Sequence, residues 1–150
     1  MRIFSFDSEQ WISRLLGEVF PFFADPRNLE TITPPWLRFE LKARGNLEMR
    51  RGLKIDYRLR LHGIPFSWQS EITVWDPPVR FVDEQVRGPY RLWRHDHRFE
   101  QKDGRTLVRD HVDYAVPGGW LVQKLVVGRE INKIFEFRRR TLEKILRSFS

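Results

Sequence analysis

Apolar and polar residues alternate with a period of two through the middle of the chain. Leu53, Ile55, Tyr57, Leu59 and Leu61 alternate with Lys54, Asp56, Arg58 and Arg60. That spacing predicts a strand with one buried face and one wet face. His62-Gly63 reads as a two-residue hairpin turn, after which Phe66, Trp68, Ser70, Ile72 and Val74 share one face. If Leu61 faces Ile64 across that turn, Leu59 faces Phe66, Tyr57 faces Trp68, Ile55 faces Ser70 and Leu53 faces Ile72. Apolar meets apolar almost throughout, as a fixed register requires.

The flanking segments complete a pattern. Residues 3 to about 14 read as extended, and Leu15 to Phe23 as a short helix. Asp25-Pro26 starts a second short helix that runs to about Thr31. Thr33-Pro34-Pro35 forces extended backbone, and alternation from Leu37 to Arg44 predicts a strand. Asp76-Pro77-Pro78 breaks the chain. Strands follow over about 80–86, 92–101 and 106–116, with Gly88-Pro89 and Asp103-Gly104 as turns. After Pro117-Gly118-Gly119, a helix is predicted from about Trp120 to Arg147. Its stripe holds Leu121, Leu125, Ile131, Ile134, Phe135, Leu142, Ile145 and Leu146, with Arg138 among them. One strand, two short helices, six strands and one long helix predict an α+β fold. One curved antiparallel sheet would bury the long helix on its concave face. No repeat or linker is visible, so residues 1–150 are expected to form one domain.

Composition narrows the chemistry. There is no Cys, which removes disulfides, thiolate zinc sites and Cys nucleophiles. No apolar run approaches the ~18 residues of a membrane span. The N-terminal stretch turns polar by Asp7, unlike a signal-peptide core, and a soluble cytoplasmic protein is expected. The net charge is +7, and 129–150 alone carries seven basic and three acidic residues. A weak contact of this basic helix with an anionic membrane surface is therefore one possible partnership. Nucleic acid is not expected, because Glu136 and Glu143 interrupt the Arg138-Arg139-Arg140 run and no binding motif is present.

The Asp103-Gly104 turn fixes a second register. Phe99 then faces Val108, His97 faces Asp110, His95 faces Val112 and Trp93 faces Tyr114, all on the apolar face. A carboxylate beside an imidazole stabilises its charged form and fixes its tautomer. His97 and Asp110 are thus the candidate catalytic pair, or simply a pair that satisfies two buried polar groups. His95, His97 and Asp110 hold the donor types of a facial metal triad, but side chains two apart on a strand converge poorly. No metal and no cofactor are expected. No Gly-rich phosphate loop or nucleophile motif is present. An inner face rich in aromatics with few polar groups describes a small-molecule pocket better than a plain core.

Four segments carry a family resemblance: FPFFADPRNLETITPPWLRFE (20–40), MRRGLKIDYRLRLHGIPFSWQSEI (49–72), FVDEQVRGPYRLWRHDHRFE (81–100) and TLVRDHVDYAVPGG (106–119). The chain resembles bacterial members of the SRPBCC superfamily, which holds START, Bet v 1-like and polyketide-cyclase-like domains. The GPY-x-x-W-x-H-x-H segment at 88–97 is similar to one ligand-binding subgroup. The resemblance implies the helix-grip fold: a seven-stranded antiparallel sheet wrapped around the C-terminal helix, with a cavity for a small hydrophobic molecule between them. The positions so implied are Leu53, Ile55, Tyr57 and Leu59 on one strand, and Phe66, Trp68 and Ser70 on the next. Trp93, His95 and His97, then Val112 and Tyr114, follow on two more, with Ile131 and Phe135 on the helix. Asp110 joins them as the partner expected to orient a polar end of the ligand. Some relatives are cyclases, but no catalytic residue carries over by motif. The alternative function is a cyclase, dehydratase or hydrolase that uses His97–Asp110 as acid and base.

Overall fold

The structure, a computed structural model, describes residues 1–42, 47–118 and 126–147. Strand β1 (Phe4–Ile12) leads into helix α1 (Leu16–Phe23) and the single-turn helix α2 (Asn28–Thr31). Strands β2 (Glu40–Leu41), β3 (Lys54–Leu61), β4 (Ile64–Asp76), β5 (Arg80–Arg87), β6 (Leu92–Lys102) and β7 (Arg105–Ala115) follow. Helix α3 (Gly128–Arg147) comes last. The strands form one antiparallel sheet in the order β1-β7-β6-β5-β4-β3-β2. Chain neighbours are sheet neighbours from β2 to β7, and β1 closes the far edge against β7.

Both predicted hairpins form. His62 and Gly63 have φ of 52° and 79°, and Asp103 and Gly104 have 53° and 74°. Positive φ at both central positions matches the right-handed twist of the strands they join. The resulting registers are those expected, with Tyr57 opposite Trp68 and His97 opposite Asp110. Leu53 and Ile72 also meet, through a hydrogen bond of 2.9 Å that the Ile72 N–H donates to the Leu53 carbonyl.

Two expectations change. The predicted strand from Leu37 to Arg44 shrinks to Glu40–Leu41, and Arg44 lies outside the described residues. A 3-10 turn, Pro35–Leu37, stands where extended backbone was expected. Pro35 fits its first position, because the missing N–H would have no partner there anyway. Arg38, at φ 45°, ends the turn. The start of the long helix was expected at Trp120. Trp120, Leu121 and Leu125 lie outside the described residues, and the helix is described from Gly128.

Helix α3 buries Ile131, Phe135, Leu142 and Leu146 against the concave face of the sheet. Two apolar clusters result. One joins α1, β3, β6 and the C-terminal end of α3 around Phe20, Phe23, Phe99 and Leu142. The other joins Val112, Tyr114 and Val116 to Ile131 and Phe135. Among the described residues no helix is long and apolar enough to cross a membrane.

Candidate functional site

A cavity of about 160 Å³ lies inside the concave face. Strands β3 to β6 supply Tyr57, Leu59, Leu61, Trp68, Ser70, Asp83, Trp93, His95 and His97. Helix α3 supplies Ile131, Ile134, Phe135 and Arg138, and Tyr90 comes from the β5–β6 connection. The segment from α2 to just past the 3-10 turn covers the cavity with Leu29, Ile32, Thr33, Leu37 and Phe39. The inward positions of the sheet line it because successive side chains on a strand alternate faces.

One end of the wall is an aromatic box. Trp68 meets Tyr90 and Trp93 edge to face, each with ring centroids 5.5 Å apart. Such pairs add stabilisation beyond their burial. The Trp68 indole Nε1 donates to Ser70 Oγ at 3.0 Å. Burial, with Asp83 nearby, pushes the Tyr57 ionisation well above its ordinary range, and the side chain of Ser70 opposes that shift.

The other end is a buried polar cluster. Asp83 Oδ2 accepts from His97 Nε2 at 2.6 Å. Asp110 Oδ1 accepts from His95 Nε2 at 2.7 Å and from Arg138 Nη2 at 3.2 Å. The imidazoles of His95 and His97 stack with centroids 3.6 Å apart, and Phe81 covers the other face of His97 at 4.1 Å. The Arg138 guanidinium lies over the rings of Phe23 and Phe135, at 5.4 and 5.6 Å. Cation–π contacts of this kind help to hold a desolvated charge.

The electrostatics follow from this packing. Burial is the largest influence on His97 and, with His95 beside it, lowers its pKa from 6.5 to about 4. His97 is therefore neutral near pH 7, with Nε2 protonated toward Asp83. Its Nδ1 is buried, has no hydrogen-bond partner among the described residues and lies 3.6 Å from Asp110. Burial alone would raise both aspartates. At Asp110 the Arg138 charge and the His95 hydrogen bond outweigh it and hold the carboxyl well below the usual range. At Asp83 the His97 hydrogen bond, with the charges around it, does the same.

The sequence register paired His97 with Asp110, and their backbones are indeed opposite. The side chains correct that pairing. Asp83 stands opposite His95, and Asp110 opposite His97, yet the hydrogen bonds run diagonally. An imidazole Nε2 is far from its Cβ and overreaches a short carboxylate directly across, whereas a diagonal neighbour is within its range.

Nine of the expected ligand-binding positions line the cavity: Tyr57, Leu59, Trp68, Ser70, Trp93, His95, His97, Ile131 and Phe135. Ile55 lines a smaller space of about 30 Å³ that shares Asp83, His97 and Arg138 with the larger one. Asp110 does not line the cavity and backs His95 and Arg138 from behind. Val112 and Tyr114 lie under Ile131 and Phe135 in the second apolar cluster. Phe66, near the hairpin tip, is half-buried outside the wall. Arg138, Tyr90 and the covering segment at 29–39 were not among the expected ligand-binding positions. An arginine on an otherwise apolar helical stripe was the signal for Arg138.

Asp83, His95 and His97 bring one ligand atom each within 4.8 Å of one another. As they stand they suit a metal poorly. The two imidazoles are within 22° of parallel, so their in-plane lone pairs do not converge. Both Nε2 atoms are also engaged by carboxylates.

A family model described as "Polyketide cyclase / dehydrase and lipid transport" matches residues 12–140. No curated protein matches the chain. Among solved structures, protein Ms6760 of Mycobacterium smegmatis is 17% identical, with a TM-score of 0.72 over 97% of this chain and 92% of that one. A START superfamily protein of the same organism is 14% identical, with a TM-score of 0.68 over 97% and 99%. Major latex-like protein 151 of Panax ginseng is 15% identical, with a TM-score of 0.70 over 95% and 96%. At these identities the solved structures speak for the fold: START-like and Bet v 1-like, a sheet gripping a C-terminal helix. With the family match spanning most of its length, the chain belongs to the polyketide cyclase/dehydrase and lipid transport family of the SRPBCC superfamily.

Proposed function

We propose that this protein binds one small, mostly apolar molecule between the sheet and α3. The observation that carries this reading is the composition of the cavity wall. Aliphatic and aromatic side chains surround about 160 Å³, and a few convergent polar groups stand at one end. Burying ~200 Å² of apolar ligand surface contributes roughly 5 kcal/mol before the costs of association. That burial alone supports millimolar affinity at best, and tighter binding draws on the polar end of the cavity. Mass spectrometry of the purified protein, native and after solvent extraction, tests this reading. A co-purifying apolar molecule near one to one supports it. A protein that takes up no apolar probe at millimolar concentration contradicts it.

One observation favours a second reading, acid/base catalysis of a dehydration or cyclisation. His97 is held neutral, is hydrogen-bonded to a carboxylate, and lines the cavity with that carboxylate. A neutral imidazole oriented in this way can take and return a proton. The pair is Asp83–His97, with Asp110 acting through His95. Under this reading His97→Ala abolishes turnover and leaves ligand affinity within about tenfold. A loss of affinity, with no turnover in the parent, supports the binding reading instead.

The reading also includes weak contact of the outer face of α3 with an anionic membrane. Arg129, Lys133, Arg140 and Lys144 are exposed there, although Glu136 pairs with Arg140 at 2.9 Å. Arg138 takes no part, because it is buried. Liposome binding that falls steeply with salt supports this contact, and binding indifferent to salt opposes it.

A further inference from the structure

The two aspartates of the polar cluster are compensated unequally. Asp110 has Arg138 at 3.2 Å and His95 at 2.7 Å, and is itself buried. Asp83 has one ion-pair partner among the described residues, His97. His97 is neutral near pH 7, and Arg138, whose charge helps to lower the Asp83 carboxyl, makes no hydrogen bond or ion pair with it among the described residues. The Asp83 side chain is also the most open of the cluster, 18% exposed against 4% for His97 and 8% for Asp110. Its Oδ2 accepts from His97, and no hydrogen bond within the protein reaches its Oδ1 among the described residues. Asp83 lines both the larger cavity and the smaller space behind it. An ionised carboxylate with one acceptor oxygen unused by the protein offers a strong, charge-assisted hydrogen bond to any donor that enters the cavity.

We propose that Asp83 makes this cavity selective for small apolar molecules ending in a hydrogen-bond donor, hydroxyl or ammonium, and that it rejects carboxylates of the same shape. The inference rests on the binding reading above and specifies the ligand class. Size sets the rest of that class. A cavity of about 150 Å³ accommodates a body of benzene size, and this one is about 160 Å³. Trp68, Trp93 and Phe135 supply ring faces for such a body. An alkylphenol or a benzylamine has the required shape, with a donor at one end. A benzoate brings a second negative charge to a low-dielectric site, where like charges repel strongly.

The experiment uses four matched probes: 4-ethylphenol, 4-ethylbenzylamine, 4-ethylbenzoate and 4-ethylanisole. Each is titrated into the full chain at pH 7.5 and followed by tryptophan fluorescence and calorimetry. The phenol or the amine is expected to bind at least tenfold tighter than the benzoate and the anisole. Which of the two leads separates a hydroxyl ligand from a cationic one. In Asp83→Asn the benzoate is expected to come within about threefold of the phenol. Binding of all four within threefold in the wild type overturns the donor rule and leaves the cavity reading in place. Tightest binding by the benzoate overturns the rule as well. Binding of none of the four overturns the cavity reading and the rule together. The wild-type comparison of phenol with anisole decides the matter even if Asp83→Asn fails to fold.

Discussion

His95 and His97 lie face to face, ring centroids 3.6 Å apart, yet each donates its Nε2 proton to a different aspartate. Stacking places the two rings too close for both to carry charge comfortably. Burial and that mutual repulsion keep His97 neutral. The stack thus joins two carboxylate–imidazole pairs, one at the cavity wall and one anchored to α3 by Arg138.

Acid should weaken the fold through His97. Its pKa in the folded chain is about 4 against 6.5 for the free side chain, so the unfolded chain binds more protons between those values. Stability is then full above about pH 6.5 and is lost as pH falls toward 4, by at most about 3 kcal/mol from this group. The lowered carboxyls of Asp83 and Asp110 add a further loss below the ordinary aspartate range. Urea denaturation of the wild type should show a falling midpoint from pH 7 to 4.5. His97→Gln should flatten that slope, and an unchanged slope contradicts the assignment.

His111 should act in the opposite direction. It lies on the outer face, with Nδ1 2.6 Å from Asp7 and Nε2 2.9 Å from Asp113. The Asp7 hydrogen bond is the largest influence, and the pKa is raised. Its contribution is complete below about pH 6.5 and fades as pH rises through the folded value. Exposure keeps the effect small. NMR titration of the imidazole should give a pKa above 6.5, and Asp7→Asn should lower it.

Arg138 should matter to stability more than its place in a basic run suggests. Replacing it with Met leaves Asp110 buried beside one fewer cation. Losing one partner of a buried pair costs about 3–5 kcal/mol. Arg138→Met with Asp110→Asn should recover part of that loss in urea denaturation. Full additivity of the two substitutions contradicts the coupling.

Trp68 anchors the aromatic box. Trp68→Arg places a charge among Tyr90, Trp93 and Ser70, where no described carboxylate is its neighbour by hydrogen bond or ring contact. Affinity for the best of the four probes should fall at least tenfold by calorimetry, with far-ultraviolet circular dichroism preserved. Undiminished affinity removes Trp68 from the site.

The fold was readable from the sequence where local chemistry determined it. His62-Gly63 and Asp103-Gly104 each dictate a turn type, a turn type dictates register, and register placed Trp93, His95 and His97 on the inner face. Asp83 was not readable in this way. Irregular pairing between Gln69 and Ser70, and between Ile72 and Val74, shifts the β4–β5 register, and no local residue pattern marks those shifts. The partner exchange between the histidines was hidden as well, because register fixes backbones and leaves side-chain lean free. Arg138 sat in an apolar stripe, where an arginine can equally extend its charge to solvent. The covering segment at 29–39 depends on tertiary packing of Leu29, Ile32 and Leu37, beyond what period alone reveals.

The central claim is that a small apolar molecule enters the space between sheet and helix. The most direct test is an NMR titration of the isotope-labelled full chain with 4-ethylphenol, following the indole N–H signals. Trp68 and Trp93 line the cavity, whereas Trp11 and Trp36 are exposed on the surface, 43% and 53% accessible. The account predicts that the Trp68 and Trp93 signals shift together and saturate on one binding curve, while those of Trp11 and Trp36 stay in place. Shifts confined to Trp11 and Trp36, or no saturable shift at Trp68 and Trp93, would contradict it.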